Sequence, residues 1–395
     1  MPSPSASHFS RRSFLQLSAA AAAMQIVTEP LLAAQARRTP LPQGAVKIDS
    51  NENPLGPCQA ARDAVARMIP EGGRYRFDLT GHFIDSFAPM EGLSPDYVGV
   101  LPGSSPALHA GVITYTSPQK SYVTADPSYE AGTYSAAAVQ ARVIKVPLTK
   151  TYAHDAKAMI AAAPDAGLFY VCSPNNPTGT LTPHSEIEYL VENKPKDSVV
   201  MIDEAYIHFC DAPSTIDLVK AGKDVIVLRT FSKIHGMAGL RFGLAIARPD
   251  ILRKITDAGG WNFTPVTAVA AAMASVQDTA LVPERRRINA AIRQQTFQWL
   301  DSNGYSYIPS ESNCFLLDTK RPGREVIDAM EKQNVFIGRV WPIMPTCVRI
   351  TVGTREEMGS FQSALQKVMR GKVAFSQAPT QSARTTRRKP APWLS

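Results

Sequence analysis

The chain has 395 residues, 44% hydrophobic and 19% charged, which is enough to bury a sizeable core in a large domain plus a smaller one without disulfide staples. Part of the formal net charge of +8 lies at the ends, with Arg11 and Arg12 near the start and Arg384, Arg387, Arg388 and Lys389 near the finish. The body between them is only mildly basic, which argues against a nucleic-acid partner. The five cysteines, Cys58, Cys172, Cys210, Cys314 and Cys347, show no CxxC pair and no metal-ligand spacing. They read as small buried hydrophobes, and no metal is expected. No repeat of 20–50 residues suggests a solenoid.

In chain order, Ser10-Arg11-Arg12-Ser13-Phe14-Leu15-Gln16 is followed by an alanine-rich apolar run, Leu17 to Val27, and by small residues at Ala34-Gln35-Ala36. Basic, apolar, small is the order of a secretory leader, and the first segment resembles the twin-arginine export motif. Residues 1–36 are therefore expected to engage the twin-arginine export machinery and to place the mature chain in the periplasm or outside the cell. The apolar run falls short of the about 20 residues that cross a bilayer, so no stable membrane anchor is expected. Residues 37–80, rich in Pro and Gly over 37–75, read as an arm wrapping two domains or a partner subunit. Residues 373–395, rich in Ser, Thr and Pro, read as a disordered tail.

From about residue 98, short apolar runs alternate with amphipathic stretches. The predicted strands are Tyr122–Ala125, Ala141–Val146, Leu168–Cys172, Val199–Asp203, Val225–Leu228 and Leu240–Ala247, with helices such as Ser185–Asn193 and Ser214–Lys220 between them. This alternation predicts an open, mostly parallel α/β sheet over 81–265, with ligands at the carboxyl ends of its strands. Beyond Thr264-Pro265 the pattern becomes one long helical stretch from Val266 to about Trp299, broken near Leu281-Val282-Pro283. Strands near Asn313–Leu317, Val335–Gly338 and Val348–Val352 follow, which predicts a smaller α+β domain over 266–372.

Several segments at predicted strand ends carry chemistry. Lys233, in Thr230-Phe231-Ser232-Lys233, follows the Val225–Leu228 strand, and lysine is seldom buried without a task. A desolvated amine there suits a Schiff base with an aldehyde. Beyond Gly236-Met237-Ala238-Gly239-Leu240 stands Arg241, whose fork can grip a phosphate, and Thr230 and Ser232 add hydroxyls. Asp203, in Asp203-Glu204-Ala205-Tyr206, can face a pyridinium nitrogen, and Tyr206 is placed to reach a ring oxygen. The rigid loop Ser173-Pro174-Asn175-Asn176-Pro177-Thr178-Gly179 offers Asn176 as a donor. Gly103-Ser104-Ser105-Pro106 opens a predicted helix suited to a phosphate. Taken singly, these segments also read as a surface lysine, a helix cap with a packing tyrosine, a turn and a helix cap.

Together they resemble the fold-type I pyridoxal-phosphate (PLP) aminotransferases of the histidinol-phosphate aminotransferase subgroup, over about Ile48 to Lys372. Ser50-Asn51-Glu52-Asn53-Pro54-Leu55-Gly56-Pro57 and Val348-Arg349-Ile350-Thr351-Val352-Gly353 add to the match. The resemblance implies a mostly parallel seven-stranded sheet and PLP as cofactor, and it assigns Lys233, Asp203 and Tyr206 to catalysis. Ser104, Ser105, Thr230, Ser232 and Arg241 would hold the phosphate, Asn176 and Tyr206 the phenolate oxygen, and Tyr129 would stack on the ring. Tyr75 would reach the cofactor of a second subunit, which implies a homodimer. Arg349, Arg339 and Asn53 would contact substrate, an amino donor or a 2-oxo acid. His235 beside Lys233 departs from the pattern and reads as packing or support, with a functional role as the alternative, Cys314 disturbs the assignment of Asn313, and Trp341 and Pro342 crowd the place of a substrate phosphate. A PLP decarboxylase, lyase or oxidase of the same fold is the alternative outcome, and a non-catalytic binding protein a further one.

Overall fold

The longest uninterrupted apolar runs become the middle of one seven-stranded sheet. The computed structural model describes residues 41–260 and 263–371; the leader 1–36 and the tail 373–395 lie outside them. Strands β5 (Ala166–Cys172), β6 (Val199–Asp203) and β7 (Val225–Thr230) are buried at every residue. They are flanked by β3 (Ser121–Asp126), β4 (Val143–Pro147), β8 (Gly243–Ala247) and β2 (Val98–Leu101), in the order β2-β8-β7-β6-β5-β3-β4. Strand β8 runs antiparallel to β2 and β7, while the other neighbours pair in parallel. Successive residues point to opposite faces. Phe169, Val171, Val200, Ile202 and Val227 thus enter one core, and Leu168, Tyr170, Met201, Ile226 and Leu228 the other. A sheet covered on both faces needs near-continuous apolar strands, and that is what these segments are.

The edges of the reading shift. Strand β2 (Val-Gly-Val-Leu) is mostly half-buried at the sheet edge and was not among the predicted strands, its four residues being a short run broken by a glycine. The strand expected from Leu240 begins at Gly243, because Arg241 takes a left-handed φ of 65° and turns the chain. The break expected at Leu281–Pro283 lies just before it: helices Val266–Gln277 and Leu281–Ser302 meet at 84°. Pro283 fits the first turn of the second helix, where its missing N–H is not needed. Ala268, Ala271 and Ala272 of the first helix join the large-domain core with Ala61, so the core changes at this bend instead of at Pro265. By length and composition the bent pair could also span a membrane, but among the described residues no single helix does.

The second core gathers Ile292, Phe297, Leu300, Phe315, Val348, Phe361 and Leu365. Its three-stranded antiparallel sheet has β10 (Cys314–Asp318) between β9 (Ser306–Tyr307) and β12 (Cys347–Thr351). In the arm, β1 (Val46–Ile48) pairs with β11 (Val335–Ile337) of the small domain, while its helix Gln59–Met68 supplies Ala61 to the large-domain core. Residues 49–58 therefore cross between the domains, over the carboxyl ends of β5, β6 and β7. Those ends are clamped by a buried ion pair. Arg229 Nε donates to Glu204 Oε2 at 2.7 Å, and Glu204 also accepts from the Thr215 N–H, the Thr215 hydroxyl and the Ser214 hydroxyl. Asp203 and Thr230 are the neighbours of the clamped residues along the chain.

Candidate active site

A cavity of about 500 Å³ opens under the arm at these strand ends. Lining it are Ser104, Ser105, Tyr129, Asn176, Asp203, Tyr206, Thr230, Ser232, Lys233, Arg241, Arg339 and Arg349, so twelve of the residues expected from sequence meet in one place.

At its floor, Asp203 is 4% exposed. Its Oδ2 accepts from Tyr170 Oη at 2.8 Å and its Oδ1 from the Ala205 N–H at 3.0 Å. Burial raises the Asp203 pKa above the usual carboxylate value, an effect these hydrogen bonds and the Lys233 charge only partly oppose. A carboxylate with two neutral donors and no paired cation is costly to bury and calls for a positive partner. Lys233 Nζ donates to the backbone oxygens of Asn51 at 3.1 Å and Ser50 at 3.4 Å. Burial, with help from the Arg349 charge, brings its pKa down to about 8, so far more of the amine is neutral and nucleophilic near neutrality than in an ordinary lysine. Tyr206 accepts from Asn51 Nδ2 at 2.9 Å, and burial holds its pKa far above the usual phenol value, which keeps its O–H a donor.

The phosphate cup is built from a close approach. Gly103 has φ +100°, and a Cβ there would lie 2.2 Å from Arg241 Nη2. A Cβ on Gly243 would lie 2.5 Å from the Ser104 nitrogen. Only glycines let the Arg241 fork, the Ser232 hydroxyl (3.4 Å from Nη1) and the start of helix Ser105–Tyr115 crowd together. Thr230 Oγ1 donates to Ser232 Oγ at 2.9 Å. These donors, the unpaired buried acid and the softened lysine fit PLP: its phosphate at Arg241 and Ser104, its ring nitrogen at Asp203, its aldehyde at Lys233.

Opposite the lysine, Arg349 is 7% exposed. Its Nη1 donates to Asn176 Oδ1 at 2.9 Å and its Nη2 to the Asp49 carbonyl at 2.6 Å, while its Nε has no partner. Trp341, whose Nε1 donates to Ser128 O at 3.3 Å, underlies both the Arg349 and Arg339 guanidiniums, 5.6 and 4.7 Å from the ring centre. Arg339 itself is ion-paired with Glu130.

Two expected residues fall outside the cavity. Asn53, expected to contact substrate, instead donates to the Ile234 carbonyl at 3.0 Å and accepts from the Leu55 N–H at 3.1 Å. The cause is Asn51, whose left-handed φ of 55° turns it, and not Asn53, into the cleft. Tyr75 is 71% exposed and stacks 5.5 Å from Phe77, away from its own chain's cavity. Asn313 Nδ2 holds the arm by donating to the Asn51 and Glu52 carbonyls. His235 stacks on Phe231 at 4.2 Å, with its pKa pushed down to about 3 by burial; it packs behind the lysine as a neutral ring. Asn51 and Cys172 were missed as cavity residues, and Glu130 as the partner of Arg339. For Asn51 a signal existed, since asparagine is among the few side chains that tolerate the left-handed region.

The fold and this cleft define a fold-type I PLP-dependent enzyme, and comparison with known proteins sharpens the class. The aminotransferase class I and II model matches residues 44–365, and the chain belongs to that family. It is 34% identical over 337 residues to the histidinol-phosphate aminotransferase of Moorella thermoacetica, covering 82% of this chain and 85% of that one. It is also 34% identical to that of Symbiobacterium thermophilum, covering 82% and 90%. The crystal structure of the Sinorhizobium meliloti histidinol-phosphate aminotransferase with pyridoxal-5'-phosphate superposes with a TM-score of 0.75 at 26% identity, over 82% of this chain and 91% of that one. The protein is a PLP-dependent aminotransferase.

The softened amine can be tested directly. In cofactor-free protein, covalent labelling of Lys233 by an amine-reactive reagent, followed by mass spectrometry, should rise with pH through a midpoint at about 8. In Arg349→Gln the midpoint should move upward, because one of the causes that lowers it is gone. A midpoint near the ordinary lysine value in the unaltered protein would refute the assignment.

Proposed function

We propose that the enzyme exchanges an amino group between a monoanionic α-amino acid and a 2-oxo acid, with the substrate α-carboxylate on Arg349. One observation carries this reading: Arg349 is a buried guanidinium bonded only to a neutral amide and a backbone carbonyl, with Nε free. A buried cation without an anion is costly, and a planar carboxylate supplies the anion. When bound, PLP provides the aldehyde that condenses with amines and the electron-poor ring that accepts the electron pair released at the substrate Cα. The chain's own groups supply the rest. Arg349 orients the substrate by its carboxylate, and the Lys233 amine, once free, would carry the Cα proton to the carbon that was the cofactor's aldehyde. Asp203 keeps the ring nitrogen protonated, and the arm over residues 49–58 excludes water.

Histidinol phosphate, the substrate in the relatives' names, is a second reading, favoured by the second guanidinium, Arg339, on the same indole. The leader-like start supports export through the twin-arginine route and work outside the cytoplasm, and the exposed stack of Tyr75, Phe77 and Phe263 supports a homodimer that covers it.

Supplying an amino acid without 2-oxo acid should convert the holoenzyme to its amine form with one equivalent of 2-oxo acid released and no ammonia or CO2. Arg349→Gln should raise KM by about 100-fold, the scale of losing one buried charge contact; an unchanged KM would remove Arg349 from the carboxylate site. For export, replacing Arg11 and Arg12 by lysine should leave the protein in the cytoplasm, and an unmoved location would overturn that assignment.

A further inference from the structure

Two guanidiniums share the Trp341 indole, but they differ in electrostatic state. Arg349 is bonded to neutral groups. Arg339 is ion-paired with Glu130, whose side chain is 23% exposed against 41% for the arginine. Glu130 follows Tyr129 at the start of helix Ala131–Ala138, so the backbone that sets the tyrosine against the cleft also delivers the carboxylate. Trp341 is 2% exposed and pinned through its N–H to Ser128 O at 3.3 Å, which leaves this wall little freedom to rearrange.

We infer that Glu130 is a specificity-determining residue: it occupies Arg339 and restricts the distal end of the substrate to uncharged, apolar or aromatic groups. A substrate phosphate or second carboxylate seeking Arg339 must displace the Glu130 carboxylate. It then leaves that acid half-buried and unpaired, and meets its like charge at short range. A neutral side chain passes Tyr129 and the guanidiniums that line the cavity without disturbing the pair. The inference rests on Arg349 as the α-carboxylate site and extends it to the substrate class: neutral α-amino acids, with phosphate monoesters and dicarboxylates disfavoured.

The test compares holoenzymes of the native protein, Glu130→Gln, Glu130→Asp, Arg339→Gln and the Glu130→Gln/Arg339→Gln double variant. Half-reaction kcat/KM is measured with phenylalanine, glutamate and O-phosphoserine. The native enzyme should prefer phenylalanine. Glu130→Gln should raise the ratio of anionic donors to phenylalanine by about 10-fold or more, the scale of freeing one charge contact. Glu130→Asp should restore the native ratio, and the double variant should erase the gain. Arg339→Gln, tested separately in case Glu130→Gln does not fold, should leave anionic donors no better than in the native protein. A native preference for glutamate or O-phosphoserine, or a ratio unmoved in Glu130→Gln, would overturn the inference. Failure of the underlying reading looks different: Arg349→Gln would then leave KM unchanged for every donor, whatever Glu130 does.

Discussion

The structure turns on charges buried without side-chain counter-ions. Asp203 at the floor of the cleft has only the Tyr170 hydroxyl and the Ala205 amide for company. Arg349 across from it has an amide oxygen and a backbone carbonyl. Lys233 lies between, its proton loosened by burial and by the Arg349 charge. Burying charges this way costs stability, because desolvation is not offset by a partner. The chain tolerates it where a cationic ring nitrogen and an anionic substrate complete the pairs, so the same imbalance that weakens the protein alone selects its cofactor and its substrate.

Holding such groups in place requires rigidity around them. The Arg229–Glu204 pair does have its counter-ions matched, at 2.7 Å and almost fully buried, and it locks the ends of β6 and β7 one residue away from Asp203 and Thr230. The arm closes the site from above. It is tied to the small domain through β1 and to the large domain through helix Gln59–Met68. Between those anchors Asn51 meets the lysine, the tyrosine and Thr351 at once. A change of angle between the domains would therefore be felt at Lys233 through Asn51 and its neighbour Ser50.

Much of this was legible in the sequence, for reasons that differ by element. Strands β5, β6 and β7 are buried on both faces and so read as apolar runs, and the chemistry follows directly after their last residues. Lys233, Asp203, Asn176, Tyr206 and Arg241 stand at those ends and came together as expected. Features set by tertiary geometry were not legible. Strand β2 is a short edge strand of four residues interrupted by Gly99, too brief to stand out, and Pro283 marked the helix break a few residues late because proline is welcome in a helix's first turn. The choice between Asn51 and Asn53 depended on one left-handed φ. The Arg339–Glu130 pairing joins positions 209 apart in sequence, which no local pattern encodes.

The central claim is that Asp203 is held as a buried anion for the cofactor's ring nitrogen. The direct measurement is the 15N chemical shift of that nitrogen in holoenzyme reconstituted with labelled PLP, followed across neutral and mildly alkaline pH. The nitrogen should stay protonated throughout in the native protein and lose its proton in Asp203→Ala. A nitrogen unprotonated at neutral pH in the native enzyme, or one indifferent to the loss of Asp203, would contradict the account.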